Sequence, residues 1–319
     1  MIKTLPSLKK CFFVAAAVLA VLLISTALLP AQEVRSDRPL AGPDRPAEVP
    51  ADYVITPFGY FHPSCVLTFP SGTTLRADGR VQHPDGSVEE NPVSCAYPHY
   101  LVGPRAETTP TINGWVEDIE TTTSPSYGEL TSTWTVPSAP TTKSSQTVYF
   151  FPGFQDTNAS GSDISILQPV LTWTGKGPWN ISSWNCCLSG TTDQSTPVNV
   201  KVGDVIYGTI TSNCSSGSTS CATWNVLSED KTSGKSTTLS NTPSDGQVWN
   251  WAFGAVLESY SVTSCKDYPA AGTISFSSTL YNDNLQAISS PGWAGHLDTS
   301  SSPKCSYTQT VGTSLELKY

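Results

Sequence analysis

Alternation of bulky and small side chains predicts a β-strand across residues 248–260, the most distinctive stretch of the chain. One set of alternate positions is bulky and resembles a core face: Trp249, Trp251, Phe253, Ala255, Leu257 and Ser259. The other set runs through small residues to one carboxylate: Val248, Asn250, Ala252, Gly254, Val256, Glu258 and Tyr260. Because successive side chains of a strand point to opposite faces, the first set should pack and the second should surround Glu258 with shallow space. Such a strand is either the floor of a cleft or an ordinary sandwich strand with one solvated Glu.

A second strand with an unusual polar residue is predicted at 164–173. Its apolar face carries Leu167, Leu171 and Trp173. Gln168 points to the other face, between Ile166 and Val170. A buried primary amide without partners loses about 1–3 kcal/mol, so Gln168 must either cap the backbone of a neighbouring strand or serve a function.

Short strands joined by Gly, Asn and Ser turns follow one another through the rest of the chain, with neither strand–helix alternation nor an internal repeat. We predict strands at 114–119, 127–136, 147–151, 164–173, 179–184, 205–212, 223–227, 235–239, 248–260, 272–278 and 307–317. This pattern predicts an all-β fold, an antiparallel β-sandwich. The nine Trp, twelve Tyr and ten Phe residues supply a core.

The chain is predicted to begin with an export signal and a small separate module. Three lysines precede an apolar run at 11–29, and Pro30-Ala31 follows it, which is typical of a secretory signal. An uncleaved membrane anchor is the alternative, and either form places the chain outside the cytoplasm. The predicted organisation is a signal peptide at 1–31, a linker at 32–50, a β module at 51–104, a linker at 105–112 and the sandwich at 113–319.

The module at 51–104 contains hairpin turn signals at Asp78-Gly79 and Asp85-Gly86. It also holds three of the four histidines, although no metal-site spacing connects them. We expect either a propeptide or a permanent accessory module.

Cysteine usage agrees with export. One of the nine cysteines, Cys11, lies in the signal run, and the remaining even number implies disulfides in an exported chain. Spacing predicts Cys65 with Cys95 and Cys214 with Cys221. The other candidates are Cys265 and Cys305, together with the adjacent Cys186 and Cys187, whose role stays open. We expect no metal.

Composition narrows the function. Only 13% of residues are charged and the net charge is −9, which argues against nucleic-acid and anionic-membrane partners, since both need basic patches. A low charge density also suits acid conditions. The sandwich contains one histidine, His296, in a Gly-rich loop where a surface role is commonest, so no serine-protease triad is expected. Carboxylates and amides are the chemistry that remains.

Short motifs occur in order along residues 113–280. They are Asn113-Gly-Trp115, Gly128-Glu-Leu-Thr-Ser-Thr-Trp-Thr-Val-Pro137, Ile166-Leu-Gln-Pro169, Val198-Asn-Val-Lys-Val-Gly-Asp-Val-Ile-Tyr207, Ala255-Val-Leu-Glu-Ser259 and Ala271-Gly-Thr-Ile-Ser-Phe276. In this order and at these intervals, the stretch resembles the glutamic peptidases, the eqolisin family of acid-acting secreted endopeptidases. Two stretches depart from the family pattern, at residues 150–155 and around Glu258. These departures leave subsite preference open and point toward bacterial or neprosin-like relatives.

The resemblance implies a concanavalin-like, eqolisin-type sandwich that hydrolyses polypeptides at acid pH. Glu258 would act as the general base on a water shared with Gln168, whose amide would stabilise the oxyanion. Candidate groove residues are Trp173, Trp179, Trp184 and Tyr260. No cofactor is implied. We expect a secreted monomer without stable membrane association once the signal is cleaved.

Two alternatives remain: a secreted carbohydrate-binding sandwich that stacks sugars on exposed Trp, and an inactive relative of the peptidases. The peptidase hypothesis requires Glu258 and Gln168 to converge across neighbouring strands on one concave face, close enough to share a water. Opposite faces would contradict it.

Overall fold

The structure is a computed structural model that describes residues 45–76, 78, 80–90, 95–102, 114–123, 125–160, 164–186, 190–298 and 303–319. The predicted signal peptide, the 105–112 linker and Cys187 lie outside these residues, as does most of the 32–50 linker. Within the described part of the chain no helix is long and apolar enough to cross a membrane.

Strands dominate the described residues. The first seven are β1 (Val54–Thr56), β2 (Gly59–Phe61), β3 (Val66–Phe69), β4 (Thr74–Leu75), β5 (Arg80–Gln82), β6 (Val88–Glu90) and β7 (Tyr100–Leu101). The next eight are β8 (Trp115–Thr122), β9 (Tyr127–Thr135), β10 (Thr147–Gln155), β11 (Ile166–Thr174), β12 (Asn180–Cys186), β13 (Thr192–Ser195), β14 (Val198–Asn199) and β15 (Val205–Ser212). The last seven are β16 (Thr223–Asp230), β17 (Lys235–Pro243), β18 (Trp251–Tyr260), β19 (Thr273–Asn282), β20 (Ala294–Leu297), β21 (Thr308–Val311) and β22 (Leu315–Lys318).

Two large sheets form the sandwich. The first has the strand order β20-β8-β18-β10-β11-β12-β13-β3, with β14 beside β12. The second has the order β21-β22-β19-β9-β15-β16-β17-β4-β5-β6. Neighbouring strands are antiparallel except for the pairs β13–β3 and β17–β4. The predicted all-β sandwich is therefore confirmed.

Apolar side chains from the inner faces of both sheets fill the space between them. The first sheet contributes residues such as Phe150, Leu171 and Leu257, and the second contributes residues such as Trp134 and Phe276. A second cluster continues this core toward the other end of the same strands. Burial of these faces is the main force that holds the two sheets together.

The outer face of the first sheet is covered by residues 49–61 and 100–102, and we call residues 45–102 as a whole the covering segment. Strands β1, β2 and β7 form a small antiparallel sheet that packs on this face, and its side chains form one continuous apolar cluster with those of the sandwich. Strands β3 and β4 each add to the edge of a large sheet. The segment predicted as a separate module therefore shares both sheets and core with the sandwich, while its role as a propeptide stays a prediction.

The strict alternation predicted for 248–260 is wrong at one point. Trp251 and Phe253 lie on the covered outer face, and so do Val256 and Tyr260, whereas Ala255 and Leu257 face the inter-sheet core. A register shift between Phe253 and Ala255 reverses the alternation at Gly254. Odd-numbered residues of β18 therefore face outward before Gly254, and even-numbered residues face outward after it.

The disulfides support the predicted pairings. Cys65 bonds to Cys95 and Cys214 bonds to Cys221, as their spacing predicts. Cys265 bonds to Cys305. The Cys65–Cys95 bond lies wholly within the covering segment, so no disulfide among these three joins that segment to the sandwich.

Candidate active site

Glu258 lies under the covering segment, with none of its side chain exposed. Its Oε1 atom accepts two hydrogen bonds, from the Tyr260 hydroxyl and from the backbone N–H of Phe58 at 2.8 Å. Its Oε2 atom has no hydrogen-bond partner among the described residues. The expectation of shallow open space around Glu258 is therefore wrong for this covered state, since a loop distant in sequence fills that space.

Burial raises the pKa of the Glu258 carboxyl to about 8, because removal from water disfavours the charged form. The hydrogen bonds from Tyr260 and Phe58 act in the opposite direction but are weaker. The covered carboxyl is thus neutral at acid pH. Contact with solvent would return its pKa toward the ordinary range of glutamate.

A strained hairpin tip delivers the Phe58 N–H to the carboxyl. Strands β1 and β2 pair with Thr56 opposite Gly59, so Pro57 and Phe58 are the two central residues of the turn. Phe58 has a φ of 106°, a conformation that glycine adopts freely and phenylalanine rarely does. Its side chain is fully buried and lies edge-on to Trp115.

The turn also needs glycine at its next position. A Cβ atom on Gly59 would lie 2.0 Å from the backbone oxygen of Tyr100 in β7. The hairpin is held from the other side by a hydrogen bond from the Val102 N–H to the Phe58 carbonyl. This tight three-strand arrangement fixes the depth to which the tip enters the outer face.

Tyr149 lies directly beside Glu258. The two are register partners on β10 and β18, and both side chains are on the covered face. The Tyr149 hydroxyl donates a hydrogen bond of 3.2 Å to the backbone carbonyl of Ile55, in the same hairpin. Two neighbouring side chains of the sandwich therefore hold one carbonyl and one N–H of the same hairpin.

Gln168 lies on the same outer face as Glu258. It is the register partner of Trp184, between Ile166 and Val170, and all three of these neighbours belong to the covered cluster. Its side chain is fully buried, and neither its Oε1 nor its Nε2 atom has a hydrogen-bond partner among the described residues. A buried amide left in this state is available to a ligand.

The predicted convergence of Gln168 and Glu258 around one water does not occur in this structure. Strand β10 separates the two, and Glu258 is level with Tyr149. The pairing of β10 with β11 puts Gln168 level with Gly153, four positions further along. Four residues of extended strand span about 13 Å, which is too far for two side chains to hold the same water.

The structure separates the four candidate groove residues. Trp184 and Tyr260 belong to the covered outer face, whereas Trp173 and Trp179 belong to the core between the sheets. Of the nine Trp residues, eight are buried and Trp293 is partly buried. No Trp is therefore exposed in the manner that the carbohydrate-binding alternative requires.

Two further carboxyls on the covered face were missed at the level of sequence. Asp118 and Glu120 lie on β8, where they accept hydrogen bonds from the indole N–H groups of Trp115 and Trp251, at 2.7 Å each. Burial raises the pKa of Asp118 to about 8. Their spacing of two residues in a strand rich in acidic side chains was the available signal.

Comparison with known proteins gives distant structural similarities only. No protein-family model matches the chain, and no curated protein matches it in sequence. Two crystal structures of scytalido-glutamic peptidase with transition-state analogues are similar at TM-scores of 0.47 and 0.46, with 18% and 19% identity. SCP-B, a member of the eqolisin family of peptidases in complex with the tripeptide Ala-Ile-His, is similar at a TM-score of 0.44 and 17% identity. Each similarity covers 65% of this chain and 98% of the other.

Proposed function

We propose that the protein is a secreted peptidase in which Glu258 is the general base, and that residues 45–102 cover its substrate groove until they are released. The observation that carries this proposal is the buried Glu258 carboxyl, which binds the N–H of a strained hairpin tip. The ordered resemblance of residues 113–280 to the glutamic peptidases supports the same conclusion.

The chemistry requires an uncovered, ionised Glu258. After release of the hairpin, the carboxylate would take a proton from a water molecule, whose oxygen would then attack the carbonyl carbon of the scissile peptide. The carbon–nitrogen bond would break as Glu258 returned the proton to the leaving amine. Peptide and water are consumed, acid and amine are formed, and the carboxylate is regenerated. The working range therefore extends into acid, because an exposed glutamate stays ionised down to about pH 4.

Gln168 has a different part in this proposal from the one that the family resemblance implies. Its distance from Glu258 along the strands separates it from the water that Glu258 would activate. Its unpartnered amide has both a donor and an acceptor, which suits hydrogen bonding to the backbone of an extended substrate several residues from the scissile bond. We expect Gln168 to contribute to substrate binding.

Secretion and release belong to the same proposal. The basic and apolar N-terminus and the disulfides fit an exported protein. The covering segment is linked to the sandwich through residues 103–113, and its disulfide is internal. One cleavage in that linker therefore removes the covalent connection and leaves only noncovalent contacts to be broken.

The test measures casein hydrolysis by the full-length protein between pH 2 and 8, together with the N-terminal sequence of any shortened product. We expect activity to rise as a form that begins within residues 103–113 accumulates, and to be retained in acid down to about pH 4, where the uncovered Glu258 stays ionised. Glu258→Gln should show neither activity nor self-shortening. Glu229→Gln is the matched control, because Glu229 is a partly exposed carboxylate in an ion pair with Lys231 on the second sheet.

Two results would overturn the peptidase proposal, and a third would overturn only the covering role. Full activity of Glu258→Gln would show that Glu258 is not the general base. An absence of hydrolysis by both the wild type and Phe58→Ala, whose covering hairpin is weakened, would remove the peptidase function. Equal activity of full-length and shortened wild-type protein would contradict the covering role of residues 45–102 and leave the peptidase function standing.

A further inference from the structure

We propose that Tyr149 is a catalytic residue of this site, whose hydroxyl holds the scissile carbonyl and stabilises the oxyanion. This inference rests on the proposed peptidase function. It assigns to Tyr149 the step that the family resemblance implies for Gln168.

Tyr149 lies beside the carboxyl that would activate the water. Tyr149 and Glu258 are register partners on adjacent antiparallel strands, and both side chains project to the covered face. Side chains in such a pair have their Cβ atoms about 5 Å apart. A carbonyl group and a water molecule can lie between a phenol donor and a carboxylate at this spacing, with each in hydrogen-bond contact.

Backbone groups of the hairpin already occupy both Tyr149 and Glu258. The Tyr149 hydroxyl donates to the Ile55 carbonyl, while Glu258 accepts the N–H of Phe58. Both contacts are made to backbone groups and therefore do not depend on the side chains of the bound segment. A substrate backbone could take the same contacts once the hairpin has left.

The same contacts explain why the hairpin itself would not be cut. The Phe58 N–H and the Tyr260 hydroxyl together occupy the Oε1 atom of Glu258. The strained turn keeps that N–H in place, and the covered carboxyl is neutral because burial raises its pKa. No ionised base is then available next to the Ile55 carbonyl.

Gln168 cannot perform the same step in this geometry. It is level with Gly153, whereas Thr172 is the β11 residue that is level with Tyr149 and Glu258. A carbonyl within reach of Glu258 is therefore within reach of Tyr149 and out of reach of the Gln168 amide.

In the proposed step, water oxygen bonds to the carbonyl carbon, and its proton goes to Glu258. The electron pair of the C=O π bond moves to oxygen, where the Tyr149 O–H donates a hydrogen bond to the developing negative charge. The phenol keeps its proton throughout. Collapse of the intermediate breaks the carbon–nitrogen bond, and Glu258 protonates the leaving nitrogen.

The experiment compares full-length variants that have been nicked identically with trypsin at Arg105, in the predicted linker, so that release does not depend on their own activity. Removing a single oxyanion donor costs about 100- to 1,000-fold in kcat. We therefore expect Tyr149→Phe to lower kcat by that factor with KM nearly unchanged. Gln168→Ala should raise KM and leave kcat within about threefold of the wild type.

Tyr268→Phe is the matched control, because it removes the hydroxyl of a buried, hydrogen-bonded tyrosine that lies in the inter-sheet core. It should leave kcat unchanged. Tyr149→Phe also loses its bond to the Ile55 carbonyl, which loosens the covering hairpin. Tighter covering therefore cannot be the cause of a lower kcat.

A binding measurement separates catalysis from folding. A peptide aldehyde, whose hydrate resembles the tetrahedral intermediate, should bind Tyr149→Phe at least about tenfold more weakly than it binds the wild type. The parent peptide should bind both equally, whereas a misfolded variant would lose both ligands.

The outcomes distinguish the two proposals. An inactive Glu258→Gln combined with a fully active Tyr149→Phe would overturn this inference and leave the proposed function standing. An active Glu258→Gln would overturn the proposed function itself.

Discussion

Phe58 adopts a strained backbone conformation in which its N–H can bind Glu258. Its φ of 106° belongs to a conformation in which a side chain is disfavoured, yet the side chain is fully buried against Trp115. A strained position of this kind costs of the order of 1–3 kcal/mol and persists only where the surroundings compensate for it. Here the compensation is aromatic burial together with the bond from its N–H to Glu258.

Replacement of Phe58 by glycine and by alanine separates these two contributions. Both variants lose the buried ring, but only glycine relieves the positive φ. We expect Phe58→Gly to be more stable than Phe58→Ala by about 1 kcal/mol, the reverse of the order usual in regular structure. Denaturant unfolding of the two variants measures the difference. A more stable alanine variant would show that the turn relaxes to an unstrained conformation.

At the level of elements, packing of the β1–β2 hairpin on strand β18 is coupled to protonation of Glu258. The pKa of Glu258 is about 8 when the hairpin covers it, and it returns toward the ordinary value near 4 when the hairpin leaves. Covering therefore takes up a proton. The stabilisation is complete below the ordinary pKa and is lost as pH rises through about 8.

Hydrogen exchange of the hairpin tests this coupling. After correction for intrinsic exchange rates, peptides that contain residues 53–61 should be less protected at pH 8 than at pH 5, while peptides from β9 in the second sheet change less. Glu258→Gln should remove the difference, because an amide does not titrate. The nearest buried phenol, Tyr260, keeps its proton throughout, since burial raises its pKa. A pH dependence that survives in Glu258→Gln would assign it to another group.

At the level of the whole molecule, buried carboxyls make the stability of the fold depend on pH. Four buried carboxyls have pKa values raised to about 7 or 8 by desolvation: Glu117, Asp118, Asp193 and Glu258. Each is neutral in the folded protein at acid pH. At higher pH each carboxyl either ionises while it is buried, which is unfavourable, or becomes exposed as the structure opens. Their contribution to stability is therefore present below about pH 4 and is lost as pH rises toward 8.

Thermal unfolding between pH 2 and 9 measures the sum of these effects. We expect the midpoint to fall as pH rises from 5 to 9. It should also fall at the acid extreme because Asp267 has a lowered pKa: burial alone would raise it, but hydrogen bonds from Thr142, Thr263 and Ser264 outweigh that effect. The maximum should therefore lie near pH 4–5. A midpoint that rises steadily from pH 5 to 9 would contradict this account.

Several features could be predicted from local patterns because their causes are local. Alternation of side chains identified the strands, and short spacings identified the Cys65–Cys95 and Cys214–Cys221 bonds. The shared face of Gln168 and Glu258 was also predictable, but their relative position along the strands was not. That position depends on the register of β10 against both neighbouring strands, which is set by contacts between distant segments.

Local sequence patterns were enough to predict an all-β sandwich with a carboxyl and an amide on two unusual strands, since strand periodicity and turn chemistry act over a few residues. The surroundings of these two side chains depend on contacts between distant segments. The bulge at Gly254 reassigned half of β18, the register separated Gln168 from Glu258, and a hairpin 200 residues away closed over the carboxyl. These features arise from packing between segments far apart in the chain, and no local pattern encodes which segments will meet.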